Sequence, residues 1–172
     1  MKKILSTITG MLLILCVTSS ISKAQLKRFS IGPFVEAGFP VGDKKDFYNT
    51  GYGIGLGADI KLIGGLGVTG SVSYMRFGGK TYEDAMGNSV KSSALSAVPV
   101  RIGLKYKLPI PLLYVKVEGG AANRTGDYDG TAAIFAPGIG IRVLGFDLEG
   151  KYEAWFKDGT MGFFGLKAGW NF

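Results

Sequence analysis

From residue 29 onward the sequence alternates, stretch after stretch, between apolar residues and residues that are small or charged. In Phe29–Phe39 the odd positions hold Phe29, Ile31, Pro33, Val35, Ala37 and Phe39, while the even ones hold Ser30, Gly32, Phe34, Glu36 and Gly38. A repeat of two places successive side chains on opposite faces of an extended strand. The same alternation recurs over 52–62, 66–74, 94–106, 113–121, 133–143, 146–156 and 164–172. That makes eight segments, each near the roughly 9–11 residues with which a tilted strand crosses a bilayer. After residue 25 no apolar run approaches the roughly 20 residues of a membrane-crossing helix.

The connections alternate in length as well. Those near 63–65, 108–111 and 144–145 are tight, whereas those near 40–50, 78–92, 123–131 and 157–160 are longer and polar. Turn chemistry concentrates in the long set, at Met86-Gly87-Asn88, Asp127-Tyr128-Asp129-Gly130 and Lys157-Asp158-Gly159. Short turns on one side and long loops on the other are the asymmetry of outer-membrane barrels. The fold expected is all-β, an eight-stranded antiparallel up-and-down transmembrane β-barrel with both chain ends on the periplasmic side.

Sidedness follows from volume. An eight-stranded barrel has an interior just wide enough for side chains. Tyr52, Ile54, Leu56 and Ile60 with their counterparts on seven other strands would over-pack it. Gly53, Gly55, Gly57, Gly138 and Gly140 inside leave room for long charged chains, and lipid solvates the aliphatic exterior. A closed ladder satisfies the backbone groups that lipid cannot. The inward face then carries an ionic network of Glu36, Asp59, Arg101, Lys116, Glu118, Arg142, Glu149, Lys151, Glu153 and Lys167. A rough hairpin register sets Arg101 beside Glu118, Arg142 beside Asp147 and Glu149, and Lys167 beside Glu149 and Lys151. Lys61, Lys105 and Asp147 fall either in that network or at the wet rims. On the lipid face Phe29, Tyr106, Phe146, Trp170 and Phe172 form a periplasmic aromatic band, and Phe39, Tyr52, Tyr74, Phe135, Tyr152 and Phe156 an outer one. Arg76 falls on the lipid face by parity and is expected just above the outer interface.

Residues 1–24 read as a cleavable signal peptide. Lys2 and Lys3 precede an apolar stretch from Ile4 to Val17, and Ser22-Lys23-Ala24 supplies the small residues of a cleavage site. The barrel domain is then 25–172, starting at Gln25. Its 148 residues (172 − 24) keep 17 basic side chains, since Lys2, Lys3 and Lys23 are lost from 20, against 13 acidic ones. The basic residues are scattered, so no nucleic-acid footprint is expected. Cys16, the single cysteine, lies in the leader behind Leu15, which is too bulky for a lipoprotein signal. The mature chain therefore has no disulfide and no thiolate chemistry.

The last segment, Phe164-x-Leu166-x-Ala168-x-Trp170-x-Phe172, resembles the C-terminal signal that the barrel-assembly machinery recognises in outer-membrane proteins. With the leader and the eight segments, the mature chain is similar throughout to small porin-like barrels of the OmpA transmembrane-domain and OmpX type. The Ala24-Gln25 junction and glycine-rich strands look like barrels from Bacteroidetes. The resemblance implies residence in the bacterial outer membrane, among lipid and lipopolysaccharide, with Phe164, Leu166, Ala168, Trp170 and Phe172 as the assembly signal. The sequence ends at Phe172 without the peptidoglycan-binding domain of full OmpA, so no wall-anchoring role is expected.

Enzymes of this architecture, such as lipid A deacylases, palmitoyltransferases, phospholipases and omptin-like proteases, rely on a histidine, and this chain has none. No catalysis, cofactor or metal is expected. Gly78-Gly79-Lys80-Thr81 ends like a phosphate loop, but such a loop needs glycine where Tyr74 stands. The glycines at 51, 53, 55 and 57 lack dinucleotide spacing, and Asn123-Arg124-Thr125 is a chance glycosylation triplet. Three roles remain open at this level: a structural or surface-interaction barrel that contacts extracellular macromolecules through its long loops, a narrow porin-like channel, or a soluble lipocalin-like carrier with its apolar face inward.

Overall fold

A computed structural model describes residues 28–83, 89–125, 130–157 and 159–172. The expected leader and its cleavage site lie outside them, as do parts of the loops at 78–92, 123–131 and 157–160. Among the described residues there are ten strands: β1 (Phe29–Val41), β2 (Tyr48–Lys61), β3 (Leu66–Gly79), β4 (Thr81–Glu83), β5 (Ser89–Lys91), β6 (Leu95–Lys107), β7 (Leu113–Thr125), β8 (Gly130–Val143), β9 (Phe146–Phe156) and β10 (Thr160–Trp170). Eight of them close a barrel in the order β1-β10-β9-β8-β7-β6-β3-β2, and every pairing is antiparallel. The two short strands, β4 and β5, pair with each other in the connection between β3 and β6. A 3-10 turn at Gly42–Asp46 joins β1 to β2.

The barrel closes where β1 meets β10, with Phe34 opposite Gly169 and Phe39 opposite Phe164. This pairing removes the free edges of the sheet. Several outer strand ends run past the expected limits: β3 continues from Tyr74 to Gly79, and β10 begins at Thr160 rather than Phe164. The extension brings Met75, Phe77, Met161 and Phe163 onto the inner face, where all four are buried.

The alternation translates directly into two faces. Ile31, Val35, Ile54, Leu56, Val100, Ile102, Ile139, Leu148 and Leu166 are exposed on the outside, while Glu36, Arg101, Glu118, Glu149 and Glu153 are buried inside. This orientation is opposite to that of a lipocalin-like carrier, whose apolar face lines its cavity, and so excludes that reading. Both expected aromatic bands are on the exterior. Arg76 is exposed on β3, paired between Tyr52 and Ser96.

Glycine is needed where neighbouring strands nearly touch. A Cβ at Gly103 would stand 2.0 Å from the Val117 carbonyl oxygen, and one at Gly120 would stand 2.0 Å from that of Val100. Gly150, on the outer face, would meet nothing. Gly103→Ala is therefore expected to cost about 1–3 kcal/mol by forcing β6 and β7 apart, and Gly150→Ala less than about 0.5 kcal/mol. Equal midpoints in urea titrations of the two folded variants in lipid would refute this assignment.

The ionic lumen as candidate functional site

Inward positions on all eight barrel strands converge on the axis, and the charges sort into three layers. In the layer toward the outer end, Arg101 on β6 donates to Glu153 on β9 through Nη2 at 2.9 Å and Nε at 3.1 Å, and stands 3.4 Å from Glu36 on β1. Lys151 reaches both acids, 2.8 Å from Glu36 and 2.7 Å from Glu153. Ser73 donates to Glu36 at 2.7 Å and accepts from Arg101 at 3.1 Å. All five side chains are buried.

Lys116 anchors the middle layer, 2.6 Å from Glu149 and 3.0 Å from Glu118. Lys167 completes it. Its ammonium lies 4.0 Å above the Phe34 ring, a cation–π contact, and makes no ion pair among the described residues. At the periplasmic end Lys105 spans Asp59 and Asp147, each at 3.2 Å, and Arg142 pairs with the same two acids. Tyr114 donates to Asp147. Each layer thus holds two anions and two cations, so the lumen is electrically neutral layer by layer. Neutrality is required here, because an unpaired ion without water costs several kcal/mol.

Above the ions the lumen is plugged by apolar side chains. Phe77, Trp155 and Phe163 meet edge to face with centroids 5.2–5.9 Å apart, ringed by Met75, Leu95, Ile134 and Met161. Trp155 also donates its Nε1 to Glu153 at 2.7 Å, tying the plug to the layer beneath. Glycines supply the space: a Cβ at Gly51 would lie 2.5 Å from the Phe77 ring, and one at Gly38 would lie 2.7 Å from Met75.

The ten residues proposed from sequence as the network all point inward, but several pairings differ from the hairpin register. Arg101 does not pair with Glu118. It faces Gly120 across the ladder, Glu118 faces Gly103, and the guanidinium crosses the lumen to β1 and β9. Arg142 does face Asp147, whereas Glu149 belongs to Lys116. Lys167 faces Glu149 in the register, yet its ammonium rests on Phe34 instead. Lys105 and Asp147 belong to the lower layer, and Lys61 is exposed at the rim. The aromatic plug went unread, although carrying the parity of β3 three residues further would have placed Met75 and Phe77 inside. At the C-terminus Phe164, Leu166, Trp170 and Phe172 are exposed on the outer wall, with Ala168 between them partly covered.

A cavity of about 20 Å³ lies between Phe34, Asp59, Lys116, Asp147 and Lys167, room for about one water.

No family model matches the sequence, and no curated protein does. Among solved structures, the Yersinia pestis outer membrane protein Ail in a phospholipid bilayer nanodisc aligns at a TM-score of 0.54 and 17% identity, covering 82% of this chain and 99% of that one. A crystal structure of Ail in complex with the heparin analogue sucrose octasulfate gives 0.51 and 19%, covering 84% and 97%. A de novo designed transmembrane β-barrel gives 0.53 and 15%, covering 83% and 95%. The chain therefore has the fold of the small eight-stranded transmembrane barrels, closed edge to edge with its apolar face outward.

Proposed function

We propose that this protein is a bacterial outer-membrane barrel with a structural and surface-interaction role, and that it is neither a channel nor an enzyme. The observation that carries the reading is the closed lumen inside an aliphatic wall. The wall suits lipid and not water: exposed apolar patches on soluble monomers rarely exceed a few hundred Å², and here the apolar surface encircles the barrel. The lumen suits a scaffold, since the apolar plug and the ion-paired layers cross it, and the cavity beside Lys116 and Lys167 holds about one water. Its carboxylates are committed to ion pairs, and the chain has no histidine to serve as a base.

Function then falls to the outer end, where the 3-10 turn at Gly42–Asp46 and the paired strands β4 and β5 lie and where β7 and β9 finish. Lipopolysaccharide is the first partner for this end, with Arg76 beside Tyr52 and Tyr74 to meet a phosphate at the outer interface. Extracellular macromolecules at the loops are the second, and an Ail structure bound to a heparin analogue supports the architecture's capacity for this. During biogenesis the outer-wall row ending at Phe172 serves as the signal for the barrel-assembly machinery. Deleting Phe172 is expected to lower the amount of folded barrel in the outer membrane without stopping export. Unchanged levels of heat-modifiable barrel would refute that role.

The decisive experiment is conductance. Refolded protein in planar bilayers is expected to show no steady unitary steps across the physiological voltage range. Reproducible, ion-selective steps would overturn the scaffold reading in favour of a narrow pore.

A further inference from the structure

The periplasmic turns are built unlike turns that face water. Between β2 and β3, from Leu62 to Leu66, there is no polar side chain, and none from Leu108 to Leu113 or from Val143 to Phe146. Their tips project: Ile63 is 88% exposed, Ile110 59% and Leu144 92%. Turns in water favour Asn, Asp and Ser, whose side chains satisfy local backbone groups. Leu144 is also set against its own backbone. It adopts φ 49° ahead of Gly145 at φ 92°, a pair of positive φ angles that two-residue hairpins normally fill with Asn-Gly or Asp-Gly. Leu112 likewise sits at φ 70°. Leucine twice occupies positions that it enters at a cost.

At this end the ladder hydrogen bonds continue into the turns. Lys107 N donates to Gly65 O at 2.8 Å, Arg142 N to Leu112 O at 2.9 Å, Asn171 N to Gly145 O at 2.7 Å and Phe172 N to Ile31 O at 3.0 Å. The ladder thus runs out to the turns, and Pro109 and Pro111 remove two donors outright.

Inside this apolar rim the mouth is basic. A hollow of about 270 Å³ is lined by Lys61, Lys105, Lys107 and Arg142 with Leu62, Leu66 and Leu112. Lys105 and Arg142 are held by Asp59 and Asp147, whereas Lys61 and Lys107 make no ion pair among the described residues. The two free ammonium groups stand over a lumen that is otherwise neutral.

Taking the outer-membrane reading as given, we infer that the periplasmic rim is a phospholipid-binding surface: its aliphatic turn tips enter the acyl layer of the inner leaflet, and Lys61 and Lys107 take a lipid phosphate at the mouth. Lipid is favoured over a protein partner by continuity. The tips lie on three successive turns around the rim, and the outward-facing Ile60 and Leu62 on one side and Leu66 and Val68 on the other extend the lipid-facing wall into the first of them.

The test uses protein purified from outer membranes and returned to phosphatidylethanolamine and phosphatidylglycerol vesicles. Fluorophores on Ile63→Cys, Ile110→Cys and Leu144→Cys are compared with one on Val100→Cys at mid-wall. The turn labels are expected to be quenched by lipid carrying a doxyl group near the headgroup more than by aqueous iodide. Iodide quenching of the turns with lipid quenching of Val100 would overturn the inference and leave the barrel reading standing. Turn labels quenched by neither would mean that protein covers the rim, which also overturns it. Loss of lipid quenching at Val100 would remove the outer-membrane reading itself. For the phosphate, K61Q/K107Q is expected to bind spin-labelled phosphatidylglycerol about thirtyfold more weakly in micelles, the roughly 2 kcal/mol that two lysines gain from anionic lipid. Unchanged binding, or equal displacement by inorganic phosphate, would overturn the lipid-phosphate assignment.

Discussion

Arg101→Leu is expected to lower the unfolding free energy by about 3–5 kcal/mol, the cost of stripping one partner from a buried ionic cluster. The guanidinium is the counter-charge shared by Glu36 and Glu153, and Ser73 donates to one of these while accepting from Arg101. Without it, two carboxylates face Lys151 alone, and the neutral layer acquires a net negative charge that neither lipid nor the plug can solvate. Leucine also leaves part of the guanidinium's volume unfilled, so the loss combines stranded anions with a cavity. Urea titration of the barrel in lipid vesicles measures it directly.

The double variant separates these causes. Arg101→Leu with Glu153→Gln leaves Glu36 and Lys151 as a single pair at 2.8 Å, and restores neutrality. It is expected to be more stable than Arg101→Leu alone, a strongly non-additive cycle. Additive losses would mean that Arg101 contributes through packing, and a single-variant loss under about 1 kcal/mol would mean that water reaches the layer. Replacing a complete buried pair by apolar groups is often neutral or stabilising. The layer therefore fixes which arrangement of strands is tolerated more than it adds to total stability: any slip that leaves Arg101 out of line with β1 and β9 strands a charge.

The alternation in β1, β2, β8 and β9 was enough to read strand number, sidedness and the identity of the inward charges. It was enough because one physical fact, the different solvent on either face, dictates every second residue. Partner choice was not legible. A hairpin register sees only adjacent strands, which is why Arg142 and Asp147 could be matched. In a narrow barrel a long side chain reaches the opposite wall, so Arg101 selects Glu36 and Glu153 over the neighbouring-strand Glu118. The plug escaped for a related reason. Past Tyr74 the polarity of the faces inverts, with Met75 and Phe77 inward and Arg76 outward, and at Phe163-Phe164 both faces are aromatic, so the pattern that marks a strand fades where the inner face stops being polar. Apolar residues on the inner face at the outer end are what form the plug.

That closure rests on Trp155, and its removal has the second large expected effect. The indole is fully buried, touches Phe77 and Phe163 edge to face and donates to Glu153 at 2.7 Å. Trp155→Ala is expected to cost about 3–5 kcal/mol through the cavity alone, with a further contribution from the lost charge-assisted hydrogen bond. Trp155→Phe keeps most of the packing and loses only the donor, so about 1.5–3 kcal/mol is expected there, the range for hydrogen bonds to charged groups. Stability equal to wild type in Trp155→Phe would show that the Nε1 bond adds nothing. Conductance gives the independent reading. Even with the plug opened, Arg101, Lys151, Glu36 and Glu153 still span the lumen below it, so Trp155→Ala bilayers are expected to stay silent while the barrel remains folded. Unitary steps in Trp155→Ala, absent from wild type, would show that the aromatic layer alone is the seal and that the ions beneath it leave a continuous water path.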